Sequence, residues 1–270
     1  MRIADKFQEL SEKGEGALIV YVTAGDPSLF LTKNIVKALE EAGADMIELG
    51  LPFSDPIADG PTIQAASERA LKAGMNPDVY FKMTKEIREY TDVPLICLTY
   101  YNLVLQRGIG RFMRDCVESG INGIIIPDLP IEEAGQTLSE ANKNGVDVIL
   151  LIAPTSTEER MKIISSAAHG FVYLVSLLGV TGAREELSVI VKDLIGKVRR
   201  VAKRKVPIAV GFGLSSPNHV REVIRSGADG AIVGSAIVNI IAKNKGEEEK
   251  MLREIRGFVA QLKEATLFDG

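Results

Sequence analysis

The stretch KNIVKALEEAGADMIEL, residues 33–49, decides how this chain folds. Ile35, Val36 and Leu39 share one helical face, Gly43 stops the helix, and DMIEL (45–49) follows as a short apolar run. A glycine at such a join ends the helix in a left-handed conformation before the chain enters a strand. The same join recurs as ESGIN (118–122), KNGVD (143–147) and RSGAD (225–229). Working outward, seven further runs resemble DMIEL: LIVYVT (18–23), PLICL (94–98), GIII (123–126), DVILL (147–151), FVYLV (171–175), VPIAV (206–210) and GAIV (230–233). Near-continuous apolar runs suit a parallel sheet, whose strands are buried on both faces. Between them, residues 108–119, 131–143, 156–168, 186–204 and 216–226 read as helices. Eight βα repeats without a break in composition predict an α/β chain folded as one closed (β/α)₈ TIM barrel, a single domain over 1–270. An open doubly wound sheet is the alternative.

Two segments exceed the bare repeat. Ile3, Phe7 and Leu10 fall on one face of residues 2–13 and predict an extra N-terminal helix packed on the barrel. The longest step between runs, from residue 45 to residue 94, leaves room for an extra helix after the second strand. The amphipathic tail 247–265 should be the last helix.

With 270 residues, 46% apolar and 25% charged, the chain is an ordinary globular sequence. Its 32 Lys and Arg against 36 Asp and Glu give a net charge of −4, which argues against a nucleic-acid surface. No uncharged apolar run approaches the roughly eighteen residues of a membrane span. The start MRIADKFQELSEKGEG lacks the apolar core of a signal peptide, so the expectation is a cytoplasmic protein. Cys97 and Cys116 are too few for a disulfide framework, and Cys97 lies in an apolar run as a small core residue. The basic run KVRRVAKRK (197–205) reads as a solvated helix face.

Function in such a barrel gathers at the C-terminal ends of the strands. Alternation along DMIEL turns Ile47 and Leu49 toward the helices and Met46 and Glu48 into the barrel. Enclosure raises a carboxyl's pKa toward neutrality, where it can both give and take a proton. The plain alternative is a buried Glu satisfied by a neighbour, yet no run contains Lys or Arg. The loop GLPFSDPIADGPT (50–62) carries Asp55 and Asp59 among Pro52, Pro56 and Pro61. Proline stiffens a loop and so holds a side chain over a pocket, although either Asp also fits as a turn former. After the last two strands, GFGLSSPNHV (211–220) brings Gly211 and Gly213, and GSAIVNI (234–240) brings Gly234 and Ser235. Such turns bind phosphate through backbone N–H groups at helix N-termini, or serve as ordinary tight turns. LVSLLGVTGAREE (174–186) sets Thr181 between Gly179 and Gly182, either a closing lid or a surface loop, and Tyr173 alternates toward the barrel interior. A Schiff-base lysine is missing from every run. The two histidines, His169 before the sixth run and His219 inside a predicted helix, are badly placed for a metal or a triad. Carboxylates and tyrosines remain.

IELGLPFSDPIADGPTIQ (47–64), YYN (100–102), GVTGAR (179–184), GFG (211–213) and GSAIV (234–238) together resemble the tryptophan synthase α-subunit family, in order and across nearly the whole chain. The first motif is highly specific; the phosphate turns are shared with many barrels. The resemblance implies retro-aldol cleavage of indole-3-glycerol phosphate into indole and glyceraldehyde 3-phosphate. It implies Glu48 as the catalytic acid/base and Asp59 as the carboxylate on the indole N–H. Tyr173 would lie beside Asp59, and Thr181 would contact it on lid closure. Gly182, Gly211, Phe212, Gly213, Gly234 and Ser235 would bind phosphate, and Tyr21, Leu98, Tyr100 and Ile125 would form the indole pocket. The resemblance further implies no metal and no cofactor in this chain, with pyridoxal phosphate only in a partner β subunit of an αββα complex. The loop around 52–60 would form much of that interface. One departure is visible: Ser176 is followed by Leu177 and Leu178, where many bacterial members have Arg after the serine. Another phosphate-binding barrel enzyme would explain the glycine turns but not the loop after Glu48. A catalytically idle regulatory barrel would not need Glu48 and Asp59.

Overall fold

The computed structural model describes residues 2–175, 184–202, 206–211 and 213–268, with the backbone alone over 184–190. Eight strands appear where the eight runs predict them: β1 (Ala17–Thr23), β2 (Met46–Gly50), β3 (Leu95–Leu98), β4 (Gly123–Ile125), β5 (Asp147–Ile152), β6 (Val172–Val175), β7 (Ile208–Gly211) and β8 (Gly230–Val233). All neighbours are parallel, and β8 pairs back onto β1, with Ala17 opposite Gly230. The barrel is closed, so the open sheet is excluded.

The expected additions are present. Helix α1 (Ile3–Glu12) precedes the barrel, and the long step after β2 holds two helices, α3 (Pro61–Lys72) and α4 (Pro77–Arg88). The others are α2 (Leu29–Glu41), α5 (Tyr101–Arg107), α6 (Ile109–Glu118), α7 (Gly135–Asn144), α8 (Glu158–Ala167), α9 (Arg184–Val201), α10 (Pro217–Arg225), α11 (Ser235–Lys243) and α12 (Glu248–Glu264). Helix α5 went unread in the sequence. It ends at Gly108, whose φ of 83° breaks the helical path and lets α6 start in a new direction. No helix among the described residues is long and apolar enough to cross a membrane.

The repeated join has a physical explanation in two parts. Gly43, Gly120, Gly145 and Gly227 all take positive φ, at 99°, 81°, 72° and 97°, where a side chain is strained. At three of these joins, the Asp or Asn two residues later accepts a backbone N–H from the start of the preceding strand. Asp45 takes it from Leu18 (2.7 Å), Asn122 from Leu95 (2.9 Å) and Asp229 from Ile208 (2.6 Å). Those three phrases thus end a helix and fasten the next strand to its neighbour.

Apolar residues form two main layers. Outward-facing residues such as Ile47, Leu49 and Cys97 pack against the helices, while Ala17, Ile19, Met46 and Ile149 fill the barrel. Ile3, Phe7 and Leu10 of α1 join the inner group, and the Phe7 ring sits 5.6 Å from that of Phe171. Helix α1 therefore covers the N-terminal end of the barrel and leaves the C-terminal end for chemistry.

Candidate active site

A cavity of about 170 Å³ lies at the C-terminal ends of the strands. Strand β2 delivers Glu48 to it: Met46 belongs to the barrel interior, Ile47 and Leu49 to the outer layer, and Glu48 lines the cavity. In the parallel register Glu48 stands beside Tyr21 of β1 and Ile96 of β3. Glu48 is only 1% exposed, and its Oε1 has no hydrogen-bond partner among the described residues. Burial disfavours the charged form and pushes this carboxyl up to about 8. At neutral pH it therefore holds its proton.

The loop over Glu48 is folded around one tyrosine. The Tyr100 hydroxyl accepts the Ala58 N–H at 3.0 Å and donates to Asp59 Oδ2 at 3.0 Å. The Phe53 ring stacks on Tyr100, 5.4 Å between centroids. Backbone turns from Asp59 N to Pro56 O and from Ile57 N to Asp55 O tighten the loop, and Gln64 holds the Asp59 carbonyl at 2.8 Å. Pro61 starts α3 with Gly60 as its cap, so the loop ends against a rigid element. Asp59 faces the cavity. Asp55, exposed and bonded by Ser54 Oγ, does not. Burial pushes Asp59 up to about 6, and the Tyr100 hydrogen bond opposes that rise.

The opposite side carries the glycine turns. Gly213 has a φ of 86° and lines the cavity with Gly234 and Ser235. Gly234 caps α11, so the N–H groups of that helix start at the cavity edge. Leu98, Ile125, Tyr21 and Tyr173 also line it, which gives the side nearer Glu48 an aromatic and apolar wall. Gly211 sits at the end of β7, and a Cβ there would fall 2.6 Å from Cζ of Tyr173, so its bare backbone makes room for that ring. Tyr100 reaches the site through Asp59. Thr181, Gly182 and Phe212 lie outside the described residues.

Ala58, Gly60, Ile63, Pro127, Leu151 and Ile232 also line the cavity and were not singled out from the sequence. Leu151 and Ile232 fall on the inward phase of their runs, a readable signal. Ile63 comes from α3, and only the packing reveals it. Among the described residues no three His, Cys, Asp or Glu side chains converge as a metal site. His169 is exposed, and the ring of His219, in the first turn of α10 as expected of a helical residue, accepts the Ser215 N–H at 3.3 Å.

A family model described as Tryptophan synthase alpha chain matches residues 7–267. The chain belongs to that family. The tryptophan synthase alpha chain of Methanosarcina acetivorans is 51% identical over 250 residues, 93% of this chain and 90% of its own. That of a Thermoanaerobacter species is 48% identical over 264 residues, 97% of this chain and 98% of its own. Among solved structures, tryptophan synthase subunit alpha from Legionella pneumophila superposes with a TM-score of 0.90 at 34% identity, covering 98% of each chain. A chain of the tryptophan synthase complex from Pyrococcus furiosus superposes with a TM-score of 0.82 at 37% identity, covering 92% of this chain and 98% of that one. Membership in the tryptophan synthase alpha chain family carries a lyase role in tryptophan biosynthesis.

Proposed function

We propose that this chain cleaves indole-3-glycerol phosphate into indole and glyceraldehyde 3-phosphate by a retro-aldol reaction, using two carboxyl groups. Direct departure of the side chain from indole C3 would leave a poor carbanion, so C3 must first gain a proton. Glu48, protonated near pH 7 because it is buried, supplies it. Positive charge then develops at the indole nitrogen, where Asp59 accepts the N–H and stabilises the cation. The Glu48 carboxylate next takes the proton of the glycerol 3′-hydroxyl as that carbon becomes an aldehyde and the carbon–carbon bond breaks. C3 has gained one proton, the hydroxyl has lost one, and Glu48 ends as it began.

The remaining residues bind and orient. Tyr21, Leu98, Tyr100, Ile125 and Tyr173 form the aromatic end. Gly182, Gly211, Phe212, Gly213, Gly234 and Ser235 form the phosphate end, with Thr181 meeting Asp59 when the lid closes. The partner is a tryptophan synthase β subunit in an αββα heterotetramer, docked over the loop around 52–60. Pyridoxal phosphate belongs to that subunit; this chain uses no cofactor or metal and works in the cytoplasm. The observation that carries the reading is the Glu48 carboxyl, enclosed at the cavity with one oxygen free of partners among the described residues. The test is indole release from indole-3-glycerol phosphate by the purified chain, slow alone and faster with a β subunit. Absence of indole in both cases overturns the reading and leaves an idle regulatory barrel.

A further inference from the structure

Gly50 has no conformational reason to be glycine. It is the last residue of β2, follows Glu48 on the same inward phase, and is not among the residues with positive φ. Its environment supplies the reason. A Cβ built there would fall 2.8 Å from both Cε2 and Cζ of Tyr21 and closer still to the hydroxyl, distances that real atoms do not adopt. Tyr21 leaves β1 beside Glu48 and leans across β2, so its ring tip lies on the Gly50 backbone, with the hydroxyl bonded to Thr23 Oγ1 at 3.1 Å. The root of the ring is bracketed just past the end of β8, the other neighbouring strand. A Cβ on Gly234 would meet Tyr21 Cβ at 3.2 Å and Cδ1 at 3.3 Å. Ile63, Ala66 and Val238 of α3 and α11 pack in one apolar cluster with Tyr21. The side left open is the cavity, which Tyr21 lines.

We propose that Gly50 is a specificity-determining residue, whose bare backbone seats the Tyr21 ring against β2 and thereby sets the width of the cavity's aromatic end. A methyl group at 50 displaces the ring in the one free direction, into the space for the substrate's bicyclic head. The phosphate end, built from other strands, keeps its shape. The inference rests on the retro-aldol reading of the same site, and its test separates the two.

The test measures binding of two probes by calorimetry, 3-(indol-3-yl)propyl phosphate and glycerol 3-phosphate, to the full chain. Gly50→Ala is expected to weaken the indolyl probe by about tenfold or more, the scale of a one-carbon misfit in a tight pocket. Glycerol 3-phosphate should change by less than about twofold. Adding Tyr21→Leu to Gly50→Ala should bring the indolyl probe back to within about threefold of the parent. Equal loss for both probes, no loss for either, or no recovery in the double variant overturns the proposal. Should Gly50→Ala not fold, Tyr21→Leu with Gly50 intact decides the matter. It should raise the affinity for a ring-methylated indolyl probe relative to the unmethylated one by about fivefold or more, and an unchanged ratio overturns the proposal. If the parent chain binds glycerol 3-phosphate but no indolyl probe, the retro-aldol reading itself falls, before any variant is made.

Discussion

Replacing Glu48 by Gln separates two consequences of one buried carboxyl. The substitution keeps shape and volume but removes both the proton and the ability to ionise. In the folded chain the carboxyl titrates at about 8, against an ordinary value of 4.5. Below pH 4.5 both folded and unfolded chains hold this proton. Between there and 8 the unfolded chain releases it while the folded chain keeps it. Stability from this group therefore declines as pH rises, by about 1.4 kcal/mol per pH unit, with a ceiling of about 5 kcal/mol once pH passes 8. Glu48→Gln lacks that decline. Thermal unfolding of both proteins between pH 5 and pH 9 should show the melting temperature of the variant gaining on the parent by roughly 5 °C or more. Over the same range indole release by the variant should fall at least about 10²-fold, the usual scale for losing a general acid/base. A constant gap in melting temperature across the range would show that Glu48 is not held neutral by burial. Near-normal turnover would remove it from the chemistry.

The activity of the parent chain should follow a bell, lost below about pH 6 as Asp59 takes a proton and above about pH 8 as Glu48 gives one up. Tyr100→Phe removes the donor that favours ionised Asp59, so the acidic limb of kcat/KM should move to higher pH while the basic limb stays; an unmoved acidic limb refutes the pairing. Phe7→Ala opens a hole among the residues at the covered end of the barrel and should cost about 3–5 kcal/mol in urea unfolding. The KM for indole-3-glycerol phosphate should stay within about twofold, and a large rise would mean that α1 also shapes the site.

The barrel was legible because its determinants are local. Each strand announces itself as a short apolar run, and four of the joins carry a glycine with an Asp or Asn two residues on, so spacing orders the elements. Helix α5 escaped because Tyr101–Arg107 is short and its end depends on the one residue Gly108. The direction of Glu48 followed from alternation along DMIEL. What did not follow is everything that depends on distant residues meeting. Tyr100 holds Asp59 across 41 residues, and no periodicity links the two. The fully buried Asp26 carboxylate, paired with both Nε and Nη2 of Arg69 at 2.7 and 2.8 Å, is likewise invisible in the sequence. Spacing does not separate Asp59 from Asp55, since both satisfy the same turn preferences; the family resemblance singled out Asp59, and the fold of the loop turns that side chain to the cavity.

The two carboxyl groups owe their different roles to where they are mounted. Glu48 sits on a strand paired on both sides, is wholly enclosed, and meets no cation among the described residues, so burial governs it and keeps it neutral. Asp59 sits on a loop, is less enclosed, and receives a hydroxyl, so it ionises at a lower pH than Glu48. Environments that push two acids apart around pH 7 are what divide proton donor from charge stabiliser. The division also has a mechanical side. Ile57 of that loop is 83% exposed, and displacing the loop would shift Asp59 relative to Tyr100, whereas Glu48 is held on a strand paired on both sides. A partner pressing on that loop would therefore change the stabilisation of the indole cation before it changed the supply of the proton. The pH profile distinguishes these cases, since loop displacement alters the acidic limb and a change at the strand alters the basic one.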